Sequence, residues 1–543
     1  MMARLRLRQT DADARPIRLG ADAITIGRHP SNSIPITDEK ASRKHCVVES
    51  DGRGGFRVRD LDSRNGTRLN GIQVRESPLA PGDVIEIGRT EFLIEEAIGD
   101  APDGEPNGEA GAGRRGGEPE PDWAGDLTRV LRGLPPRDAE PPEVQLVFAD
   151  GQTSEALSGQ GEGTRAIRLM LQTASKSRAT DIHIEPKTDI MQVRMRVDGQ
   201  MIWIADLPKR VGELACGLVR TTCQMKSAAA DAVLDGHFSA RFPDRRVEYR
   251  ASFTPTMQGA KLVVRVLDER GIPHSIGELG LASYMEDRVR KTCEQSQGML
   301  LVCGPTGSGK TTTLYNCLRA VDREKKNVIT IEDPVEYQID GCTQIPINEK
   351  RGNTFYSLLR SCLRQDPDVI LLGEIRDEET ARTAMQAAMT GHLVFSTLHA
   401  KDTISAVFRL LDLKVEPYLV ANALELILAQ RLIRVLCENC KRPIAVSPGQ
   451  ATRIGRFLGG KAQVFTAVGC QACLKTGYRG RRALFELLEF NDDLRDVILT
   501  DQSIHGMRKV IEQGLFTTLT QSGWKLAAEG VTSLDEVDRV SGG

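Results

Sequence analysis

In Gly298-Met-Leu-Leu-Val-Cys-Gly304-Pro-Thr-Gly-Ser-Gly309-Lys310-Thr311, an apolar run of strand length stops at a glycine, and a helix-compatible run follows the lysine. Gly304–Thr311 fits G-x-x-x-x-G-K-T between a strand and a helix. In that context backbone N–H groups and a helix N-terminus surround a phosphate. Gly304, Pro305, Thr306, Gly307, Ser308, Gly309, Lys310, Thr311 and Thr312 are therefore the expected nucleotide cradle. The Lys310 ammonium would reach the β- and γ-phosphates, and the Thr311 hydroxyl would ligate Mg²⁺. The competing reading, a fortuitous glycine-rich turn, has no need of the flanking strand and helix.

Downstream, the apolar runs Asn327–Asp333, Asp368–Glu374 and His392–Leu398 alternate with helical stretches. That alternation predicts a parallel sheet covered on both faces. Two of these runs end in carboxylates, in Thr330-Ile-Glu332-Asp333-Pro-Val-Glu336-Tyr337 and in Gly373-Glu374-Ile-Arg376-Asp377. In a P-loop fold such strand ends deliver an acid toward Mg²⁺ and the attacking water. Taken singly, each reads equally well as a helix cap or a surface pair. The last run is flanked by His392 and His399, and a lone histidine there is ordinarily structural.

These four blocks, in this order, resemble the secretion ATPase superfamily, the hexameric motors of type II secretion and type IV pilus assembly. The resemblance spans roughly residues 144–543. It implies a RecA-like P-loop core over 271–436 that hydrolyses ATP with Mg²⁺. It also implies a cytoplasmic homo-hexamer, peripherally associated with platform proteins of the inner membrane. Glu336 would be the general base orienting the attacking water, and Glu374 would support Mg²⁺ through its waters. His399 would sense the γ-phosphate, and His392 would be structural. A retraction motor is the nearest alternative. From a different class comes a phosphorylation-dependent scaffold in which the nucleotide only switches shape; intact Lys310, Thr311, Glu336 and Glu374 argue against it.

Residues 144–270 mix Val144–Asp150, a helix over Thr164–Ser177 and alternating strands in Ile182–Pro186 and Met191–Ala205, an α+β pattern. The segments around Arg194-Met-Arg196 and Arg246-Val-Glu-Tyr-Arg250 resemble the PAS-like domain that precedes the motor in the same family. By that resemblance Arg246 and Arg250 approach the phosphates when the domain closes, and Arg196 is an intersubunit arginine. The chemistry suits phosphoryl transfer, in which guanidinium groups neutralise charge. Solvated strand arginines are the plain alternative. The family's Gly-Glu before the next strand is Gly259-Ala260 here.

Of twelve cysteines, eight are scattered and four form Cys437-Glu-Asn-Cys440 and Cys470-Gln-Ala-Cys473. Four thiolates at this spacing suit tetrahedral Zn²⁺. A redox dithiol would need only one pair, in a thioredoxin-like setting. The resemblance supports zinc, because assembly motors carry a tetracysteine subdomain here and retraction motors generally lack it. The expected unit is a closed structural site over 437–485, followed by a C-terminal helical region over 486–543.

Before the motor, residues 98–143 are rich in Gly, Pro, Asp and Glu and read as a flexible linker, with a marginal helix around Leu127–Leu131. Residues 1–97 hold short alternating runs (Arg4–Gln9, Ala23–Arg28, His45–Ser50, Gly55–Asp60, Asp83–Gly88, Thr90–Glu96) separated by turn signals, the pattern of an all-β sandwich. On its loops, Gly27-Arg28, Ser42-Arg43-Lys-His45, Asn65-Gly66-Thr67 and Asn70-Gly71 resemble a forkhead-associated (FHA) domain. The resemblance implies phosphothreonine binding by Arg28, Ser42, Arg43 and Asn65, with His45 a buried loop organiser. A sandwich with polar loops and no ligand is the alternative. The chain is thus expected to be multidomain, a β-sandwich followed by α/β units.

Composition limits the remaining classes. A formal charge of −2 over 543 residues gives no global argument for nucleic acid, so none is expected as a partner. No apolar run approaches the ~18 residues of a membrane span. The start, MMARLRLRQT, has no apolar h-region, so a cytoplasmic address is expected.

Overall fold

The computed structural model describes residues 5–9, 17–19, 23–29, 32–36, 38, 40–51, 55–80, 82–88, 90–96, 122–135, 144–148, 152–153, 159, 161–225 and 232–542. They belong to two compact units, residues 1–117 and 118–543.

The first unit is a β-sandwich. One sheet orders the strands Ile17–Arg18, Leu5–Gln9, Thr90–Glu96, Val84–Ile87, Thr67–Leu69 and Ile72–Val74. The other orders Ile34–Pro35, Ile24–Gly27, Cys46–Ser50, Phe56–Asp60 and Glu76–Leu79. Alternation along the strands buries Ile26, Val48, Val58, Ile85, Phe92 and Ile94 in one core. The expected strands are present. The hairpin of Thr67–Leu69 and Ile72–Val74 is an addition, turning at Asn70-Gly71 with φ of 53° and 83°. Positive φ at both positions is the turn preference of that dipeptide.

Within the expected linker, the short helix read around Leu127–Leu131 is present and extends over Trp123–Gly133. Trp123–Gly133 is capped by Asp122, whose side chain accepts from the Gly125 N–H at 3.0 Å. Trp123 and Leu127 are buried in the core of the following domain. The remainder of the expected linker, 98–121 and 136–143, lies outside the described residues. That following domain is an antiparallel seven-stranded sheet in the order Gln145–Val147, Leu234–Arg241, Arg246–Thr256, Gly259–Leu267, Ala179–Pro186, Ile190–Val197, Gln200–Pro208. Helices Glu162–Ser177 and Lys209–Thr222 add their apolar faces to its core.

The P-loop strand lies within a second seven-stranded sheet, ordered Thr343–Pro346, Val328–Glu332, Val369–Leu372, Leu393–Leu398, Gly298–Cys303, Leu424–Leu436, Tyr478–Glu489. All neighbours are parallel except the last pair. Four adjacent strands are wholly buried, and two separate apolar cores form around the sheet, as continuous apolar runs require. Because Tyr478–Glu489 pairs with Leu424–Leu436, residues 478–485 belong to this sheet and not to the cysteine unit in which the sequence placed them. Between those strands lie the ribbon Arg442–Ala445/Gln463–Thr466 and the helix Pro448–Leu458.

The cysteine unit also meets the preceding domain. Leu474 packs against that domain's core, and Gly133 lies against Gln471. Nearby, Asp198 Oδ2 accepts from the Gly480 N–H at 2.7 Å, and Arg434 Nη1 donates to Gln200 Oε1 at 2.7 Å. Among the described residues no helix is long and apolar enough to cross a membrane.

Candidate active site

Parallel pairing in register brings four strand ends to one edge of the motor sheet. Ile331 aligns with Leu372 and Leu372 with Ser396, while Val302 aligns with Thr397. Glu332-Asp333, Gly373-Glu374, His399 and the P-loop therefore all emerge together, at the carboxyl edge where such sheets bind ligands. They line a cavity of about 1780 Å³ whose other wall comes from the preceding domain, including Arg196, His237, Arg250 and Arg265.

Within the P-loop, Gly309 has φ of 88°, and a side chain there would meet Gln430 Nε2 at 2.9 Å. Thr306, Gly307, Gly309, Lys310, Thr311 and Thr312 line the cavity. Gly304 and Ser308 are buried beneath them, and Pro305 is exposed outside the lining. Lys310 Nζ donates to the carbonyls of Gly304 at 3.0 Å and Pro305 at 3.1 Å. Burial lowers its pKa, opposed chiefly by the Glu374 carboxylate. Ser308 Oγ is buried with no hydrogen-bond partner among the described residues. A phosphate oxygen is the acceptor such a hydroxyl lacks, so the loop's chemistry fits the nucleotide.

The acidic ends divide into two kinds. Glu332 is buried and saturated, accepting from the Tyr315 hydroxyl, from Thr330 Oγ1 at 2.6 Å and from Gln344 Nε2 at 3.1 Å. Glu336 is only partly covered and pairs with Arg250 Nη1 at 3.5 Å, while Arg250 Nη2 donates to the Val335 carbonyl at 2.9 Å. Glu374 is held by Arg376, and His399 Nε2 lies 3.5 Å from its Oε2. His392 Nδ1 lies 3.0 Å from the Ala387 carbonyl, far from any lining role.

The arginines of the preceding domain separate as well. Arg250 and Arg196 line the cavity; Arg196 Nη1 donates to the Gly199 carbonyl at 3.1 Å. Arg246, expected beside them, is not among the lining residues. Its Nε donates to Ser239 Oγ at 2.9 Å and pairs with Glu248 at 2.8 Å. Sequence reasoning passed over Arg265, His237 and Arg376 as site residues. Arg376 lay inside the quoted Gly-Glu-Ile-Arg block, which was the available signal.

The thiols of Cys437, Cys440, Cys470 and Cys473 lie within 4.8 Å of one another. Three sulfur pairs are 3.9, 3.8 and 3.7 Å apart. A tetrahedron with metal–sulfur bonds of about 2.3 Å has edges of about 3.8 Å, so the cluster fits one four-coordinate ion. Backbone N–H groups of Gly469 and Gly477 donate to Cys440 and Cys473 at 3.3 and 3.2 Å, orienting the sulfurs.

In the sandwich, Ser42 sits at the junction of three loops. Its carbonyl accepts from the Arg28 N–H and its hydroxyl from the Arg64 N–H, both at 2.9 Å. Asn65 Nδ2 donates to the Lys40 carbonyl at 2.7 Å. Arg28, Arg43 and Asn65 are exposed. His45 is buried, with Nδ1 accepting from the Ser42 N–H at 3.0 Å and Nε2 lying 3.2 Å from the Gly66 carbonyl. Burial lowers its pKa, opposed first by the Gly66 carbonyl. A side chain at Gly27 would meet the Arg43 carbonyl at 2.7 Å, which explains the glycine before Arg28.

A P-loop facing acidic strand ends on a parallel sheet defines a nucleotide-hydrolysing fold. The particular family follows from comparison: residues 157–539 match the "Type II/IV secretion system protein" model and residues 24–88 the "FHA domain" model. The chain belongs to the type II/IV secretion ATPase family and carries an FHA domain. It is 38% identical over 377 residues to Type II secretion system protein E of Pectobacterium carotovorum subsp. carotovorum, covering 69% of this chain and 75% of that one. Identity to Type IV pilus assembly ATPase PilB of Thermus thermophilus is 36% over 408 residues, covering 74% and 46%. The Legionella pneumophila ATPase DotB shares the fold at a TM-score of 0.53 and 22% identity, over 68% of this chain and 94% of that one.

Proposed function

We propose that this protein is a Mg²⁺-dependent ATP-hydrolysing motor of a type II secretion or type IV pilus assembly machine. It works as a homo-hexamer against platform proteins at the cytoplasmic face of the inner membrane. The observation that carries this reading is the single cavity in which Lys310 and Thr311 share walls with Glu336, Glu374 and Arg250. Glu336, partly covered and paired with Arg250, accepts a proton from the attacking water. Lys310 turns its N–H donors from the loop carbonyls to the phosphates, and the loop N–H groups hold them in place. Thr311, and Glu374 through water, would hold Mg²⁺, which would supply charge neutralisation. Arg250 brings a guanidinium from the preceding domain, read here as PAS-like, toward the charge that develops during transfer. His399 senses the γ-phosphate beside Glu374.

The tetracysteine cluster favours assembly over retraction and is read as a structural Zn²⁺ site. The FHA module reads phosphothreonine: Arg28 and Arg43 supply charge-assisted bonds, Ser42 a hydroxyl, and Asn65 a contact to peptide backbone. ATPase rate and binding of a fluorescent ATP analogue, measured for wild type, Lys310→Ala and Glu336→Gln, test the motor. Glu336→Gln should still bind nucleotide but lose turnover by ~100-fold or more, because an amide accepts no proton. Near wild-type hydrolysis by Lys310→Ala would leave the scaffold reading standing instead.

A further inference from the structure

Arg376, in the cavity wall, contacts two acidic strand ends and an aromatic ring. Its Nε donates to Glu374 Oε1 at 2.7 Å, and its Nη2 contacts the same oxygen. Nη2 also lies 3.3 Å from Asp333 Oδ2, on a different strand end. The guanidinium stands 5.5 Å from the centroid of the Phe355 ring, and Phe355 is itself buried. Oε1 of Glu374 is therefore occupied, and Oε2 lies 3.5 Å from His399 Nε2.

We propose that Arg376 is a positioning residue for ATP hydrolysis: it braces Glu374 against Asp333 so that one carboxylate oxygen is fixed and the other serves the cavity. The inference rests on the reading of Glu374 as the Mg²⁺-side acid. An exposed ion pair alone contributes little to stability. This contact does more than pair neighbours, because it ties together two strand ends that line the same cavity. A planar fork resting on a ring restricts carboxylate rotation in a way a flexible ammonium does not. Rotational freedom at Glu374 would cost rate through misplacement rather than through lost affinity.

The test uses the full chain: ATPase kinetics against ATP and against Mg²⁺ for Arg376→Gln, Arg376→Lys, Glu374→Gln and the double variant Arg376→Gln/Glu374→Gln. Arg376→Gln should lower kcat by ~10–100-fold, leave KM for ATP within ~3-fold, and raise the Mg²⁺ concentration for half-maximal rate. Arg376→Lys should recover part of the rate. The double variant should be no slower than Glu374→Gln alone, since Arg376 acts through that carboxylate. Losses that multiply in the double variant would overturn the proposal, and so would an unchanged kcat in Arg376→Gln beside an inactive Glu374→Gln. A near wild-type rate in Glu374→Gln would instead defeat the reading of Glu374 on which the inference rests.

Discussion

Arg246 and Arg250 lie on one strand, four residues apart, and their partners set them apart. Arg250 reaches across to Glu336 and the Val335 carbonyl, while Arg246 contacts Ser239 and Glu248 of its own domain. Arg250→Ala should reduce kcat by ~10–100-fold with little change in nucleotide affinity, as expected for a group that engages developing charge. Arg246→Ala should stay within ~3-fold of wild type. Equal losses in the two variants would show that domain closure carries Arg246 into the cavity. The residue scale also shows where sequence patterns stop being informative. Lys310, Thr311, Glu336 and Glu374 all line the cavity; loop spacing pointed to the first two, and the family resemblance supplied the roles expected of the two glutamates. The roles of Glu332, Arg376 and Arg246 depend on which strands become neighbours, and local spacing does not encode that.

At the scale of elements, the cysteine unit shows the same division. The two C-x-x-C pairs announced a four-ligand cluster, and the sulfurs do converge. The unit's end was misjudged, since Tyr478–Glu489 is long enough to serve both the knuckle and the motor sheet. The marginal helix expected around Leu127–Leu131 is longer, Trp123–Gly133, with Asp122 as cap and Trp123, Leu127 and Leu134 at helical spacing as the signals its Gly- and Pro-rich surroundings outweighed. Both elements meet at Gln471 and Leu474, beside the second cysteine pair. The purified protein should hold about one zinc per chain. Its removal should loosen the 470–475 turn and raise amide exchange there and along 123–133, because the turn is shaped by its sulfur contacts. Metal analysis finding no zinc, with all four thiols freely titratable in the native protein, would refute the site.

At the scale of the whole molecule, the sandwich has an apolar core of its own, while the larger unit has three, one of which receives Leu127. Leu127 is fully buried, so Leu127→Ala removes apolar contacts that neighbouring side chains cannot fully replace. Truncations of this kind cost about 2–5 kcal/mol. That cost belongs to the unit of residues 118–543, because sites without shared partners contribute independently. Thermal unfolding of the full chain should therefore show the transition of the larger unit falling by several degrees, with the sandwich transition unmoved. Affinity for a phosphothreonine peptide should remain within ~2-fold of wild type, since Arg28, Ser42, Arg43 and Asn65 draw on a different core. Amide exchange should rise along 123–133 before anywhere in the P-loop sheet, because the helix borders the destabilised core and the loop does not. If peptide affinity fell together with the stability of the larger unit, the sandwich would depend on the motor for its binding geometry. The FHA module would then be a docked regulatory surface rather than an independently folded reader.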